Sequence, residues 1–280
     1  MAMEHLTKRP RPTNPRPGNP PALNVLALNS GSSSLKFGCY RVESLSTALQ
    51  ISGEAEAIGD RKGRFLARDA HGNELASDDA AMPSVQEAIV RLGRLFANGK
   101  LPTPDAIGHR IVHGGPALRR HCVIDDAVLR QLESAASFAP LHTPAALSVI
   151  RFALERFPGV PHVACFDTTF HSEMPDVARV LPIAKALQSE GIQRYGFHGL
   201  SCESILHQLA SAPSIRVPAR LVIAHLGNGV SVTAVKNGRS IDTSMGLTPT
   251  GGVMMGTRSG DLDPGLLVYL MREKKFDAAM

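Results

Sequence analysis

Short apolar runs alternate with amphipathic stretches along the chain, a pattern that predicts strands alternating with helices and therefore an α/β protein. The runs typical of strands are 25–28, 35–41, 107–113 and 160–166. Helices are predicted to begin at Ser84, Thr143, Ser201 and Asp263, each of which is a residue type that caps helix N-termini. The first of these helices carries a capping box and is expected to stop at Asn98-Gly99; the second and third are expected to run to about Phe157 and Leu209.

One hydrophobic pattern occurs twice, about two hundred residues apart. Residues 25–40 read VLALNSGSSSLKFGCY and residues 221–235 read LVIAHLGNGVSVTAV, each an apolar strand, a small-residue turn and an alternating strand. Asn29 corresponds to His225, and Gly31 to Gly227. Two such β-hairpins suggest two related α/β halves that face each other. Their turns could bind an anion through backbone N–H groups, although hairpin turns are rich in these residues in any case.

Composition and charge narrow the class of protein. The chain of 280 residues is 43% hydrophobic and 20% charged, which is typical of a globular protein. The first 22 residues hold four basic residues, one acidic residue and six prolines, which predicts a disordered tail over 1–22. This tail accounts for +3 of the net charge of +5, so the remainder gives no indication of a nucleic-acid partner. The absence of Trp also argues against a base-stacking surface.

The lack of a secretory signal or membrane span in the sequence and the spacing of the cysteines favour a cytoplasmic location. The N-terminal segment lacks the apolar core of a secretory signal, and no apolar run approaches the length of a membrane span. The four cysteines (Cys39, Cys122, Cys165 and Cys202) are far apart and form no CxxC pair. A reducing compartment with unpaired thiols is therefore expected.

Several common active-site motifs are absent. The sequence contains no GxxxxGK[ST] loop, no GxGxxG after a strand, no HExxH and no Cys/His quartet. His109 and His113 would share one face of a strand, but no third ligand is evident, so a zinc site is not expected.

Chemically dense segments lie at 109–115, 166–171, 195–199 and 242–261. Because the carboxyl ends of strands line the ligand crevice of an open α/β sheet, Arg110, Asp167 and Arg258 are candidates for one site. Two guanidinium groups suit a phosphoryl or carboxylate ligand. His198 lies between two glycines that supply no side-chain volume, which favours a functional role over core packing.

Structural alternatives exist for three of the candidates. Arg110 could form a buried pair with a structural carboxylate, and Asp167 could be a helix N-cap. Lys36 could simply face solvent on an alternating strand.

Seven motifs together carry a family resemblance: LNSGSSSLKF, HRIVHGG, PLHTP, FDTTFH, YGFHGLS, HLGNGVSV and DTSMGLTPTGGVMMGTRSGDLDP. From Asn24 to Met280 the chain resembles the acetate kinase family, with the motifs in the family's order. The resemblance implies a duplicated ribonuclease-H-like fold, as in actin, Hsp70 and sugar kinases. It implies a substrate-side domain over 23–170 and a nucleotide-side domain over 171–280, the second incomplete.

The resemblance also implies a role for each candidate residue. Asn29 would be a ligand of Mg²⁺, Lys36 would contact the nucleotide, and Arg110 would hold the acetate carboxylate. Arg258 and His198 would stabilise the phosphoryl group in transfer, with Asp167 as an acid/base or positioning residue. The turn His225, Leu226, Gly227, Asn228 and Gly229 would grip the nucleotide phosphates. The implied reaction converts ATP and acetate into ADP and acetyl phosphate, in a homodimer.

The chain departs from the family pattern in sequence and in length. Cys202 replaces a histidine, Thr143 an asparagine, and Thr250-Gly251-Gly252 the usual Leu-Glu-Gly. Family members continue beyond this point with DxR and GIGEN segments that grip adenosine, a metal-binding glutamate and a helix that returns to the first domain. An exposed apolar surface and an open sheet edge are therefore expected.

Three functions remain open on the sequence alone. The chain could be an acetate kinase, a kinase for another short-chain acid such as propionate or butyrate, or a non-catalytic remnant that binds only carboxylate or phosphate.

Overall fold

Two β-sheets organise the chain in a computed structural model that describes residues 21–44, 46–97, 99, 101–140 and 142–277. The tail predicted over 1–22 lies, except for its last two residues, outside the described residues.

The first sheet contains eight strands in the order β5-β4-β3-β2-β1-β6-β8-β7. Their bounds are β1 Leu23–Ser30, β2 Leu35–Val42, β3 Thr47–Glu56, β4 Arg64–Asp69, β5 Glu74–Asp78, β6 Ala106–Ile111, β7 Cys122–Val123 and β8 His162–Phe166. Strands β1, β6 and β8 are parallel neighbours, whereas β2 to β5 extend the sheet as antiparallel strands. The parallel register pairs Asn29 with Arg110 and Ile111 with Phe166, so three strands end at the same edge of the sheet.

The second sheet has the strand order β11-β10-β9 and is antiparallel throughout. It is formed by β9 Arg220–Leu226, β10 Val230–Lys236 and β11 Arg239–Thr243. Both hairpins predicted from the repeated pattern are therefore present, β1–β2 in the first sheet and β9–β10 in the second.

Seven α-helices are present in the described residues: α1 Val85–Ala97, α2 Asp126–Ser134, α3 Thr143–Arg156, α4 Asp176–Arg179, α5 Lys185–Ser189, α6 Gly199–Ser211 and α7 Pro264–Glu273. Helices α1 and α3 cover one face of the first sheet, where Leu26, Ile89, Leu92 and Val149 belong to the main apolar core. None of the described helices has the length and apolarity needed to span a bilayer.

The N-caps predicted at Ser84 and Asp263 are confirmed. Glu87 N donates to Ser84 Oγ at 3.4 Å before α1, although the Glu87 carboxylate pairs with Arg91 and does not complete the capping box. Asp263 Oδ1 accepts from Gly265 N at 2.9 Å and caps α7.

The other two predicted caps are wrong. His142 occupies the N-cap of α3, and the buried Thr143 hydroxyl has no hydrogen-bond partner among the described residues. His198 occupies the N-cap of α6, while Ser201 Oγ hydrogen-bonds His225 Nδ1 of the second sheet. In the second case a tertiary contact takes the hydroxyl that local sequence assigned to the helix.

Strand lengths also differ from the predictions. Strand β6 ends at Ile111, two residues before the predicted end at His113, because its partner β8 ends at Phe166. Strand β8 begins at His162. Strands β3, β4, β5, β7 and β11 were not predicted.

A histidine pair is buried between β6 and β8. His109 Nε2 lies 2.9 Å from His162 Nδ1, and the two side chains are almost fully buried. The outer nitrogens, His109 Nδ1 and His162 Nε2, have no hydrogen-bond partner among the described residues. Burial, together with repulsion from His162, lowers the pKa of His109 to about 3, and burial lowers the pKa of His162. Both side chains are therefore neutral at pH 7.

This pair is expected to make the fold acid-sensitive. Because an unfolded histidine titrates near pH 6.5, the unfolded chain binds more protons than the folded chain below that pH. Stability is therefore complete above pH 6.5 and declines as the pH falls towards the folded pKa values. His109→Leu/His162→Leu should move the acid-unfolding midpoint to lower pH, measured by circular dichroism. The exposed-loop control His71→Leu should leave the midpoint in place, and an equal shift in both variants would contradict the assignment.

Candidate active site

A cleft of about 1140 Å³ lies between the two sheets. Its walls come from the turn after β1, the ends of β6 and β8, the start of α6 and the turn between β9 and β10. The predicted site residues that line it are Asn29, Lys36, Arg110, Asp167, His198, His225, Asn228, Gly229 and Arg258. Candidates from both halves of the chain thus meet in one cavity.

Arg110 is held at the centre of a three-residue contact. Its Nε lies 3.1 Å from both Asp167 oxygens and its Nη2 lies 2.6 Å from Oδ2, while Nη1 donates to Asn29 Oδ1 at 3.0 Å. Asp167 is 2% exposed and directly follows β8, whereas about a third of the Arg110 side chain remains accessible. The alternative of a pair with a buried carboxylate thus describes the Arg110 contact, but the pair also faces the cleft. Among the described residues, the hydrogen bonds found for the Asp167 carboxylate come from Arg110 and not from a helix N-terminus, so the helix-cap alternative does not describe it.

The charge state of Arg110 reflects two opposed effects. Burial disfavours the charged guanidinium, but the hydrogen bonds and negative charge of Asp167 outweigh it and raise the pKa of Arg110 above its ordinary value. A permanently charged and oriented guanidinium therefore faces the cavity, as required for binding an anion.

Two histidines of the second half, one at the start of α6 and one in β9, stack on each other at the cleft. The ring centroids of His198 and His225 are 3.9 Å apart with an interplanar angle of 23°. His198 Nδ1 lies 3.0 Å from Ser231 Oγ, and His225 Nδ1 lies 3.0 Å from Ser201 Oγ. When the Ser231 hydroxyl donates to His198 Nδ1, the neutral form of the His198 imidazole carries its proton on Nε2.

Burial and positive neighbours keep His198 neutral. Burial, followed by repulsion from His225, Arg110 and Arg258, lowers the pKa of His198 to about 4. At pH 7 its ring therefore donates a hydrogen bond without carrying charge. The positive charges that act on His198 are those of Arg110 and Arg258.

Gly229 leaves space between two donors. A Cβ atom at this position would lie 3.1 Å from His198 Nε2 and 3.3 Å from Arg258 Nη1. Arg258 Nη1 also donates to the carbonyl oxygen of Pro249 at 2.8 Å, which holds the side chain at the cavity wall. The absence of a side chain at 229 thus opens the approach of an anion to both groups.

Three of the predicted site residues are either largely exposed at the cleft or absent from its lining. Lys36 lines the cleft but is largely solvent-exposed, with Nζ 3.8 Å from Glu54 Oε2, as the solvent-facing alternative describes. Leu226 and Gly227 are not among the lining residues; Leu226 is 77% exposed at the end of β9.

Two cleft residues were missed as individual candidates. His142 lines the cavity from the N-cap of α3, and burial followed by repulsion from Arg258 and Arg110 lowers its pKa. Ser201 lines it from α6. Both belong to motifs that carry the family resemblance, PLHTP and YGFHGLS. Membership of these motifs was the signal by which the two residues could have been found.

The described residues contain no group of three or more His, Cys, Asp or Glu side chains placed to hold a metal ion. Asn29 Oδ1 and the Asp167 carboxylate are nevertheless adjacent oxygen donors, joined through Arg110. Such a sparse oxygen set suits Mg²⁺, which usually keeps several waters and binds through one or two protein oxygens and substrate phosphates.

The fold and the cleft define the class: a two-sheet α/β protein with a polar cleft, lined by Arg110 and Arg258, between its halves. The model of the acetokinase family matches residues 24–279, and the chain belongs to that family. Its fold is accordingly the duplicated actin/Hsp70-like α/β fold of acetate kinases.

Curated relatives and solved structures that are similar to this chain are acetate and propionate kinases. The chain is 45% identical over 253 residues to an acetate kinase of Shewanella loihica and 41% identical over 262 residues to one of Nitrobacter hamburgensis, covering 88% and 91% of this chain. A propionate kinase structure from Francisella tularensis aligns with a TM-score of 0.84 and 34% identity, over 92% of this chain and 66% of that one. An acetate kinase structure from Porphyromonas gingivalis aligns with a TM-score of 0.79, 34% identity and the same coverages. The chain spans 63% and 64% of the length of the two curated relatives.

Proposed function

We propose that the protein transfers a phosphoryl group reversibly between ATP and acetate, giving acetyl phosphate and ADP by direct in-line transfer. The observation that carries the proposal is the oriented Arg110 guanidinium, which faces Arg258 and His198 across one cavity. Relatives named acetate kinase support the substrate, and the family supports ATP as the phosphoryl donor.

Catalysis in this site consists of alignment and charge neutralisation. Acetate is already a carboxylate at neutral pH, so the nucleophile needs no general base. Arg110 binds and orients that carboxylate, while Arg258 and the neutral His198 donate to the equatorial oxygens of the phosphoryl group. Asp167 orients Arg110 through the three short contacts and takes no proton.

The nucleotide phosphates are assigned to the second half of the cleft. His225, Asn228 and Gly229 line the cavity there, and the neighbouring Leu226 and Gly227 complete the turn. Lys36, whose side chain is exposed at the cleft, supplies a mobile positive charge towards the nucleotide. Asn29 and Asp167 would hold Mg²⁺ through waters; when bound, the ion would neutralise charge on the transferred phosphates.

The assay that tests this function traps acyl phosphate with hydroxylamine, using the 280-residue chain with Mg-ATP and acetate, propionate or butyrate. We expect hydroxamate above the level of an Arg258→Ala control, because that variant lacks the donor to the phosphoryl oxygens. The acid that reacts fastest identifies the substrate, and propionate is included because a propionate kinase superposes well. A folded chain without signal would favour the second candidate, a protein that binds carboxylate or phosphate without catalysis.

Asp167→Asn separates orientation from base catalysis. If Asp167 only orients Arg110, the variant should lower kcat by about tenfold to a hundredfold and keep the shape of the pH–rate profile, because no proton transfer is lost. The measurement is the hydroxamate rate from pH 5 to 9 for both proteins. Loss of a limb near a carboxylate pKa in the variant would show that Asp167 acts as a base.

The domain boundaries and the oligomeric state are proposed from the same resemblance, and the cellular location from the cysteines. Residues 23–170 would form the substrate-side domain and residues 171–280 the nucleotide-side domain, which matches the distribution of the two sheets. The family resemblance supports a homodimer. Four cysteines without disulfide bonds fit a cytoplasmic location.

A further inference from the structure

His171 is a buried histidine that the proposed mechanism does not use. It ends the 3₁₀ turn Thr169–His171, which follows β8, and is 1% exposed. Its Nε2 lies 3.0 Å from the carbonyl oxygen of Phe197, and its Nδ1 lies 2.9 Å from Ser240 Oγ of β11. The imidazole therefore joins the segment after β8 to the second sheet and to the loop that leads into α6.

The two partners fix which ring nitrogen of His171 carries the proton. A carbonyl oxygen can only accept a hydrogen bond, so Nε2 donates to the Phe197 carbonyl. In a neutral imidazole the other nitrogen is then an acceptor, and the Ser240 hydroxyl donates to it. Burial lowers the pKa of His171 to about 4, so the ring is neutral at pH 7. The side chain is thus a fixed donor to one particular carbonyl group.

The carbonyl that His171 binds belongs to the peptide group in front of His198. His198 has a φ of 61°, which is uncommon for a residue other than glycine, so surrounding contacts must hold its backbone. On the other side of His198, Gly199 N donates to the backbone carbonyl oxygen of Asp167 at 2.7 Å. Both peptide groups that flank His198 are therefore bound to the segment 167–171, and together they set the direction of its side chain.

Two glycines allow this segment and the loop before α6 to lie so close. An added Cβ at Gly196 would lie 2.7 Å from His171 Cγ, and one at Gly199 would lie 2.3 Å from the Asp167 carbonyl oxygen. A side chain at either position would therefore push the loop away from the segment.

The same segment orients the arginine that comes from the first half. It begins at Asp167, whose carboxylate binds Arg110 through Nε and Nη2. Arg110 and His198 both line the cleft, whereas His171 is not among the lining residues. One short segment thus holds the group assigned to the acyl substrate and the group assigned to the phosphoryl oxygens.

We propose that His171 is a positioning residue for phosphoryl transfer. Through the Phe197 carbonyl, its Nε2–H group fixes the direction in which His198 faces the phosphoryl oxygens, relative to Arg110. His171 itself touches neither substrate. Its role in transfer rests on the proposed function, whereas its hold on His198 rests on the fold alone.

NMR of the ¹⁵N-labelled histidine rings in the 280-residue chain tests this hold without an assay of activity. At pH 7 we expect the His171 ring to be neutral, with its proton on Nε2 and in slow exchange with water. The signal is assigned from its loss in His171→Gln. A His171 ring with its proton on Nδ1 would overturn the proposal, because Nε2 could not then donate to the carbonyl.

Two amide variants separate the carbonyl contact from the serine contact. In His171→Gln the amide group reaches about as far as Nε2 and can donate to the Phe197 carbonyl. In His171→Asn it reaches only as far as Nδ1, where Ser240 lies. The ring signals of His198 should therefore keep their wild-type positions in His171→Gln and shift in His171→Asn.

The same variants should divide kcat from KM. His171→Asn should lower kcat for acyl phosphate by about tenfold to a hundredfold, because the donor to the phosphoryl group is misplaced. The KM for acetate should change by less than about threefold, since the contacts of Arg110 with Asp167 remain. His171→Gln should restore kcat to within about threefold of wild type.

The matched control is His162→Asn. It makes the same change at another histidine that is 1% exposed, whose ring partner is His109 inside the first sheet. This variant should lower Tm but leave the His198 signals and kcat almost unchanged. A loss of kcat equal to that of His171→Asn would show that general destabilisation is responsible and would overturn the proposal. Should His171→Asn not fold, the wild-type tautomer and the His198 signals of His171→Gln still decide.

The positioning role and the proposed function can fail separately. Shifted His198 signals in His171→Asn, with no acyl phosphate from the wild-type chain, would leave the hold on His198 standing and remove the proposed function. Acyl phosphate from the wild-type chain, with His198 signals and kcat unchanged by His171→Asn, would do the reverse.

Discussion

Replacing Arg110 by methionine is expected to lower the free energy of unfolding by about 3 kcal/mol, because it leaves a buried carboxylate without its partner. Asp167 is 2% exposed, and the hydrogen bonds found for its side chain all come from Arg110. Urea unfolding at pH 7 measures the loss without any assay of activity. The same variant should lose hydroxamate formation, since methionine cannot bind a carboxylate.

A double-mutant cycle tests the origin of that loss. Arg110→Met/Asp167→Leu removes both charges together. The double variant should therefore recover much of the stability that either single variant loses. Arg151→Met provides the matched surface control, because Arg151 pairs with Glu133 where both side chains are about half exposed. Its cost should stay below about 1 kcal/mol. Additive losses in the cycle would show that Arg110 and Asp167 are not energetically coupled.

Gly196→Ala should destabilise the fold by about 2–4 kcal/mol, because a methyl group there adds both backbone strain and overpacking. Gly196 has a φ of +73°, and an added Cβ would lie 2.5 Å from Thr243 Cγ2 and 2.7 Å from His171 Cγ. Both neighbouring side chains are buried, so neither can move away freely. Left-handed strain of about 1 kcal/mol therefore adds to overpacking of about 1–3 kcal/mol.

Position 196 also matters because the site begins two residues later. His171 Nε2 lies 3.0 Å from the carbonyl oxygen of Phe197, next to the left-handed His198, whose φ is 61°. Displacing His171 should therefore weaken binding of inorganic phosphate as well as lower Tm. Gly72→Ala is the control, because Gly72 has a φ of +87° but no atom within 4 Å of an added Cβ. Equal losses in the two variants would show that backbone strain alone is responsible.

The sequence determined much of the architecture through local chemistry. Apolar runs predicted β1, β2, β6 and β8, and the repeated hairpin pattern predicted the two halves. The Asp263 cap was predictable because its side chain binds a backbone N–H only two residues away. The rule that strand ends line a ligand crevice brought Arg110 and Asp167 to one site, and the register of β1, β6 and β8 confirms that placement.

Only the tertiary structure decided which polar groups are partners. Ser201 was expected to cap α6, but it hydrogen-bonds His225, 24 residues away, and leaves the cap to His198. The Arg110 guanidinium binds Asp167, 57 residues on, and the buried pair of His109 and His162 spans 53 residues. The local sequence predicts hydrophobic periodicity and helix capping, because both depend on residues within one turn or one strand. The partner of a side chain depends instead on which distant strands lie side by side, and that is established only when the sheets have formed.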